Sequence, residues 1–217
     1  MAVMKEDLLI IGAGGHAIVL VDIANKMERF NSIGLIDNQV LKGNVVCGVP
    51  VVGSDSDLGS MLDENPNLKV IIGIANNAIR HKIYLRLSGI FKLASFATLI
   101  HPSAQIGVET KIGHGVAIMA GSIINSETHV DDFSIVNTRA SLDHENYLGA
   151  FASAGPNVAT GGNVKVGEGS AVEISSTIAH NLTIGENTII GAGSVVLKNC
   201  DSNSVYYGTP AKFIRKK

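Results

Sequence analysis

The chain has 217 residues, a net charge of −2 and no tryptophan, and this length suits one large domain or two modest ones. A near-neutral balance favours neither nucleic acid nor an anionic membrane surface as partner. The two cysteines, Cys47 and Cys200, have no metal-ligand spacing, and they read as reduced thiols of a cytoplasmic protein.

Met1 to Asp7 is polar and mixed in charge, and the apolar run Leu8 to Ile11 is short. Such a run makes neither a signal core nor a membrane span, so no membrane insertion is expected. Leu8-Leu9-Ile10-Ile11 reads as a buried strand, followed by the loop Gly12-Ala13-Gly14-Gly15-His16-Ala17. A largely buried helix with Ile18, Val19, Val21, Ile23 and Ala24 then runs to about Lys26. Ile33 to Ile36 is a second strand ending at Asp37-Asn38, and Val45 to Val52 is extended. Val70 to Ala75 is a further strand, and Ala78 to Ser88 is a helix carrying Arg80, His81, Lys82 and Arg86. Strand, helix and strand joined by short links predict parallel pairing with right-handed crossovers. Residues 1–99 are therefore expected to form a small Rossmann-like βαβ domain of the α/β class.

Gly12-x-Gly14-x-x-Ala17 between a strand and a helix is a phosphate-binding geometry. Glycine lets the backbone approach the ligand, and the helix N-terminus directs free N–H groups at an anion. Asp37, at the end of the next strand, is placed to accept a hydrogen bond from a ribose hydroxyl. A tight turn that binds nothing is the alternative, and the strand–loop–helix–strand–Asp context speaks against it. This unit has fewer than about 100 residues, too few for a two-halved dinucleotide fold. A mononucleotide or nucleotide sugar fits better, with His16 as a candidate contact.

From Ile100 to Val196 an aliphatic residue recurs at every sixth position, with Ala154 and Thr160 the departures. Four residues later stands a small or β-branched residue, as in Ala104, Thr110, Val116, Ser122, Thr128 and Ser134. Period six is neither helical nor a simple strand alternation. It fits short strands separated by tight corners, stacked as a parallel β-helix over residues 100–217. In the left-handed β-helices that such hexapeptides resemble, three repeats make one coil, and residues eighteen apart stack about 4.8 Å apart. His144 then shares a column with Ser126, Gly162 and His180, and Gly162 leaves open space beside it that a ligand could occupy. Glu145 stacks with Glu127, Asn163 and Asn181, on a position that does not point inward. An imidazole with an ordinary pKa near ~6.5 suits removal of a proton during acyl transfer near neutral pH. An adjacent carboxylate fixes its tautomer. A solvated corner histidine is the alternative; Gly162, Asp143, Glu145 and Asn137 weigh toward function.

These residues carry a family resemblance. Ile11 to Ala17, Ile33 to Asn38, Gly73-Ile74-Ala75-Asn76-Asn77 with Arg80, and His101-Pro102-Ser103-Ala104 are part of it. Asn137-Thr138, His144-Glu145, Gly162-Asn163-Val164 and Tyr207-Gly208-Thr209-Pro210-Ala211-Lys212 complete it. The whole chain resembles bacterial sugar acetyltransferases of the left-handed β-helix superfamily, of the PglD and NeuD types.

The resemblance implies a homotrimer that binds acetyl-CoA in a groove between adjacent β-helices and a nucleotide sugar on the N-terminal domain. It implies N-acetylation of a UDP-4-amino-4,6-dideoxy sugar, with His144 as general base, Glu145 as its partner and Asn137 assisting. Gly14, Gly15, His16, Asp37, Asn38 and Ala75 fall at the nucleotide-sugar site, Ala75 where relatives often carry Gly. Ser153, Gly162, Ile174 and Ala192 fall at the coenzyme site, Ser153 where many relatives carry a second histidine. No metal is implied. Neither cysteine suits a nucleophile, so direct transfer without an acyl-enzyme is expected. O-acetylation of a sialic acid or other sugar and a GDP-linked substrate stay open, as does a non-catalytic scaffold. Zinc-dependent hydration chemistry lacks a convergent spacing among His114, His129 and His144. The basic tail Phe213 to Lys217 is expected to be solvated or to meet coenzyme phosphates.

Overall fold

The computed structural model describes residues 6–217, so most of the polar start of the chain lies outside it. It divides into two compact units, the first running to Pro102 and the second from Ser103 to Lys217.

In chain order the first unit contains β1 (Glu6–Ile11), α1 (Gly15–Met27), β2 (Phe30–Ile36), β3 (Val45–Val46) and β4 (Val49–Gly53). It continues with α2 (Leu58–Glu64), β5 (Lys69–Ile72) and α3 (Asn77–Leu87). The sheet order is β3-β4-β2-β1-β5, parallel except for the antiparallel β3–β4 pair. β1 and β5 end in continuous buried aliphatic runs (Leu8 to Ile11 and Val70 to Ile72) because parallel strands are covered on both faces. Strand order reverses at β1, whose neighbours are β2 and β5. The carboxyl end of β1 is therefore the topological switch point, where such sheets bind ligands, and the glycine loop lies there.

Three features differ from the sequence reading. Ile18 and Val19, expected in a largely buried helix, are 41 % and 37 % exposed. The segment expected to be extended folds into the hairpin β3–β4 around Cys47 and Gly48, at φ of 50° and 77°, as a two-residue hairpin turn requires. Helix α2 has no counterpart in that reading. Leu58 is its one fully buried side chain, so no apolar stripe marks it.

The second unit is a parallel β-helix of two-residue strands from Gln105–Ile106 to Val195–Val196. Each strand pairs with those eighteen positions away, as in Ile123↔Ser141, His129↔Tyr147 and Ile135↔Ser153. Three sheets result. The first face includes Ile123–Ile124, Ser141–Leu142 and Ala159–Thr160. The second includes His129–Val130, Tyr147–Leu148 and Lys165–Val166. The third includes Ile135–Val136, Ser153–Ala154, Ala171–Val172 and Ile189–Ile190.

The period-six aliphatic column is the core: Ile124, Val136, Leu148, Ile184 and Ile190 are all 0 % exposed. In the first coil Ile106 is 40 % exposed. The small residues four positions later are buried as well, and their hydroxyls serve the corners. Ser122 Oγ donates to Met119 O at 2.8 Å, Ser134 Oγ to Asp131 O at 2.7 Å and Ser176 Oγ to Gly191 O at 2.9 Å. Each carbonyl also accepts a backbone N–H, so the buried hydroxyl finds its own partner at the corner and adds a second bond there. The basic tail is paired as a strand, and Lys212 to Lys217 stay exposed, as expected of a solvated tail. Ser204–Gly208 joins the third face and turns back as the antiparallel strand Ala211–Lys216.

Candidate active site

Between the first and second faces the chain turns through Asp143, His144, Glu145 and Asn146. Asp143 builds the turn. Its Oδ1 accepts from Asn125 Nδ2 and from the His144 N–H, both at 2.8 Å. These two bonds, the asparagine first, hold its carboxyl below the usual range. Its carbonyl accepts from Thr128 Oγ1 at 2.9 Å and Asn146 Nδ2 at 2.6 Å. Asn146, 4 % exposed, also donates to Gly161 O in the next coil at 2.9 Å. Thr160, a departure from the aliphatic column, offers Oγ1 to the Asp143 N–H at 3.2 Å. The sequence reading left Asn146 and Thr160 without a role. The signal was the break each makes in its own column.

With the backbone so held, the side chains of His144 and Glu145 are 59 % and 58 % exposed, and Nδ1 meets Oε2 at 2.9 Å. An ionised carboxylate only accepts, so in a neutral ring this contact favours the tautomer with the proton on Nδ1. Nε2 is then the ring nitrogen not engaged by Glu145. Glu145 holds a φ of 57°, a left-handed conformation that costs a residue with a Cβ roughly 1 kcal/mol. One expectation is corrected. The space beside His144 is not open, because a Cβ built on Gly162 would meet ring atoms Cε1 and Nε2 at 2.5 Å. The imidazole itself occupies it.

The other β-helix candidates are divided over the prism. Asn137, Ile174 and Ala192 lie in turns between the third and first faces, and Ser153 lies on the third face. Ile174 and Ala192 stand eighteen positions apart in one column. The Asn137 side chain accepts the Thr138 N–H at 2.8 Å. Within one chain, then, Asn137 and His144 occupy different edges of the prism.

In the first unit a cavity of about 260 Å³ opens at the carboxyl ends of β1 and β2, lined by residues including Gly12, Asp37, Asn38, Asp55, Ile74 and Arg86. Gly12 holds a φ of 111°, accessible to glycine alone at no steric cost. Gly14 caps α1 without a side chain, and a Cβ at Gly14 or Gly15 would meet nothing within 4 Å. Asp37 has a duty the sequence did not reveal: its carboxylate accepts the N–H groups of Ala13 at 2.9 Å, Gln39 at 2.8 Å and Val40 at 3.0 Å. Burial pushes its pKa up, but these three bonds outweigh it and hold the group below the usual range. The Asn38 amide is spent on Asp55, which also pairs with Arg86 at 2.8 Å. Ala75 offers its carbonyl to Arg80 Nη1 at 2.8 Å. Arg80 is 1 % exposed, and burial lowers its pKa to about 9. His16 is depressed to about 4 by burial and, secondarily, by the Arg80 charge, so it is neutral near pH 7. Its Nε2 is buried without a hydrogen-bond partner among the described residues.

Residues 7–87 match the PglD N-terminal domain, and residues 163–198 match the bacterial transferase hexapeptide family. The structure of PerB from Caulobacter crescentus in complex with CoA and GDP-perosamine superimposes with a TM-score of 0.87. It is 34 % identical, over 98 % of this chain and 99 % of its own. The chain belongs to the PglD-type sugar acetyltransferases of the hexapeptide-repeat superfamily.

The acetyltransferase domain of PglB from Neisseria gonorrhoeae, in complex with acetyl coenzyme A, is 31 % identical over 97 % of this chain and 100 % of its own. Its TM-score is 0.89. A UDP-N-acetylbacillosamine N-acetyltransferase of Bacillus subtilis is 29 % identical over 117 residues, 53 % of this chain and 52 % of its own. That match spans about half of the relative's length. The β-helix of this chain is left-handed. No helix among the described residues is long and apolar enough to cross a membrane.

Proposed function

We propose that the protein transfers the acetyl group of acetyl-CoA to the amine of a nucleotide-linked amino sugar. The observation that carries this reading is the exposed His144–Glu145 pair, with Nδ1 held at 2.9 Å from the carboxylate and Nε2 left as base. The sugar amine attacks the thioester carbonyl, and Nε2 of His144 takes the proton from the attacking nitrogen. The C–S bond then breaks and CoA leaves as its thiolate, which the imidazolium can protonate. Glu145 stabilises the charged ring while it holds that proton. No covalent acyl-enzyme is needed.

Acetyl-CoA is the donor in this reading, as its relatives' complexes with CoA and acetyl-CoA support. Division of the candidates over two edges of the prism favours a homotrimer, in which an edge bearing Ser153, Ile174 and Ala192 faces an edge bearing His144 on a neighbouring copy. Asn137 then joins the reacting groups from its own edge. The nucleotide takes the switch-point cavity, its phosphates at the free N–H groups of Gly14, Gly15 and His16. Asp37 and Asn38 line that cavity, and neutral His16 and Ala75 complete the nucleotide-sugar site beside it. In this reading the enzyme is cytoplasmic.

The nucleotide sugar is a UDP-4-amino-4,6-dideoxy sugar in the first reading. A GDP-linked sugar is the second, favoured by the full-length match to a structure holding GDP-perosamine. A panel of UDP- and GDP-linked amino sugars with acetyl-CoA, read by mass spectrometry, decides between them. An acetyl group on a sugar hydroxyl instead of the amine would replace N-transfer by O-transfer. No acetylated product, together with no thermal shift on adding CoA, would leave the scaffold reading in its place.

A further inference from the structure

The geometry assigns Gly162 as a positioning residue, a seat for the imidazole of His144; the inference rests on His144 being the base. Three observations converge. The first is steric. A Cβ on Gly162 would lie 2.5 Å from Cε1, 2.5 Å from Nε2 and 3.1 Å from Nδ1 of His144, and its three closest neighbours are all ring atoms. The ring therefore occupies the space that a side chain at Gly162 would take, while the His144 side chain as a whole stays 59 % exposed.

The second observation is that the fold does not ask for glycine there. Gly162 has no positive φ that would exclude a side chain. Its place is the second residue after the core aliphatic, and every other hexapeptide carries a side chain at it: Ser126, Asp132, Ala150, Glu168, His180 and Lys198 among them. The glycines that the coils do need stand one residue earlier. A Cβ on Gly161 would meet His180 N at 2.8 Å, and one on Gly167 would meet Glu186 N at 2.6 Å, both backbone atoms. At Gly162 the three nearest atoms all belong to the His144 side chain, and none is backbone.

The third is the partner contact. A ring seated over Gly162 has Nδ1 at 2.9 Å from Glu145 Oε2. A methyl group at Gly162 forces the ring to rotate or lift by about 1 Å, since carbon–carbon and carbon–nitrogen contacts settle near 3.5 Å. Either motion loosens the carboxylate contact and redirects Nε2. The missing side chain thus sets where the proton acceptor points.

Gly162→Ala tests this against Gly161→Ala as a structural control. The expected result for Gly162→Ala is a melting temperature within ~2 °C of the parent and KM values for acetyl-CoA and sugar within about twofold, with kcat down roughly tenfold or more. Gly161→Ala should instead lower the melting temperature. The decisive readout is coupling. Placing Gly162→Ala in a Glu145→Gln background should cost little further rate, because both changes act through one contact. Unchanged kcat in Gly162→Ala, or full multiplication of the two effects, overturns the seat. The reading beneath it fails separately: if His144→Ala keeps its activity, the base is wrong. In that event the crystallographic position of the ring in Gly162→Ala still decides the steric claim.

Discussion

The glycine loop of the first unit and the His144 corner of the second solve opposite problems with the same residue types. At the loop, side chains hold the backbone: Asp37 accepts three N–H groups, Asn38 is tied to Asp55, and Arg80 reaches the carbonyls of Ile74 and Ala75. What remains for a ligand is mainly backbone N–H and cavity wall. At the corner the division is reversed. Asp143, Asn146, Asn125, Thr128 and Thr160 hold the backbone, and His144 and Glu145 are left to each other and to solvent. A polar residue is free for chemistry only where another one does the framing.

The largest expected effect tests the free half of this contrast. His144→Ala should reduce kcat by ~10²–10⁴-fold while the protein stays folded with its oligomeric state unchanged, checked by steady-state kinetics and sedimentation. Near-parental turnover would make the corner as inert as a solvated loop. Glu145→Gln comes next. A charge-assisted hydrogen bond is worth ~1.5–3 kcal/mol, and solvent exposure places this one at the low end. A loss of about tenfold in kcat is expected with little change in thermal stability.

The framing half is tested by Asp37→Ala, which strips three N–H groups of their acceptor. Because the site is partly hydrated, a loss of about 1–2 kcal/mol is expected in urea unfolding at pH 7. The sign with pH follows from the depressed pKa. The ionised native form contributes stability above the unfolded value near ~3.9, and that contribution is lost as pH falls through the lower folded value. The gap between parent and variant should therefore narrow on acidification. A gap that stays constant would mean the carboxylate charge does not hold the loop.

The same contrast explains what the sequence disclosed. Period six, from Ile100 to Val196, carries the β-helix because each core position repeats the same environment coil after coil. The stacking of columns then places Gly162 beside His144 by arithmetic alone. What arithmetic could not say is which way the imidazole leans, since that depends on a side-chain torsion; hence a space read as open proves to be filled. In the first unit, parallel pairing and the glycine loop were legible from buried runs and spacing. The framing duty of Asp37 was not, because its acceptor bonds come from Ala13, Gln39 and Val40, which carry no sequence signal as donors. Helix α2 was lost for a related reason: a single buried Leu58 makes no pattern.

Thr160 offers the smallest and sharpest test, since it stands where core and frame overlap. It occupies an aliphatic position at 8 % exposure, yet its hydroxyl accepts from Asp143 N at 3.2 Å and donates to Ser141 O at 3.4 Å. Thr160→Val removes two long hydrogen bonds, together worth no more than about 1 kcal/mol, and adds a buried methyl worth ~0.8 kcal/mol. The two nearly cancel, so the melting temperature should barely move. The Asp143 N–H, however, loses its acceptor directly beside the turn that presents the base. A drop in kcat of roughly two- to threefold is then expected, smaller than for Glu145→Gln. A variant that is clearly more stable and fully active would show Thr160 to be a mere irregularity in the core, and the frame of the corner would have to be drawn without it.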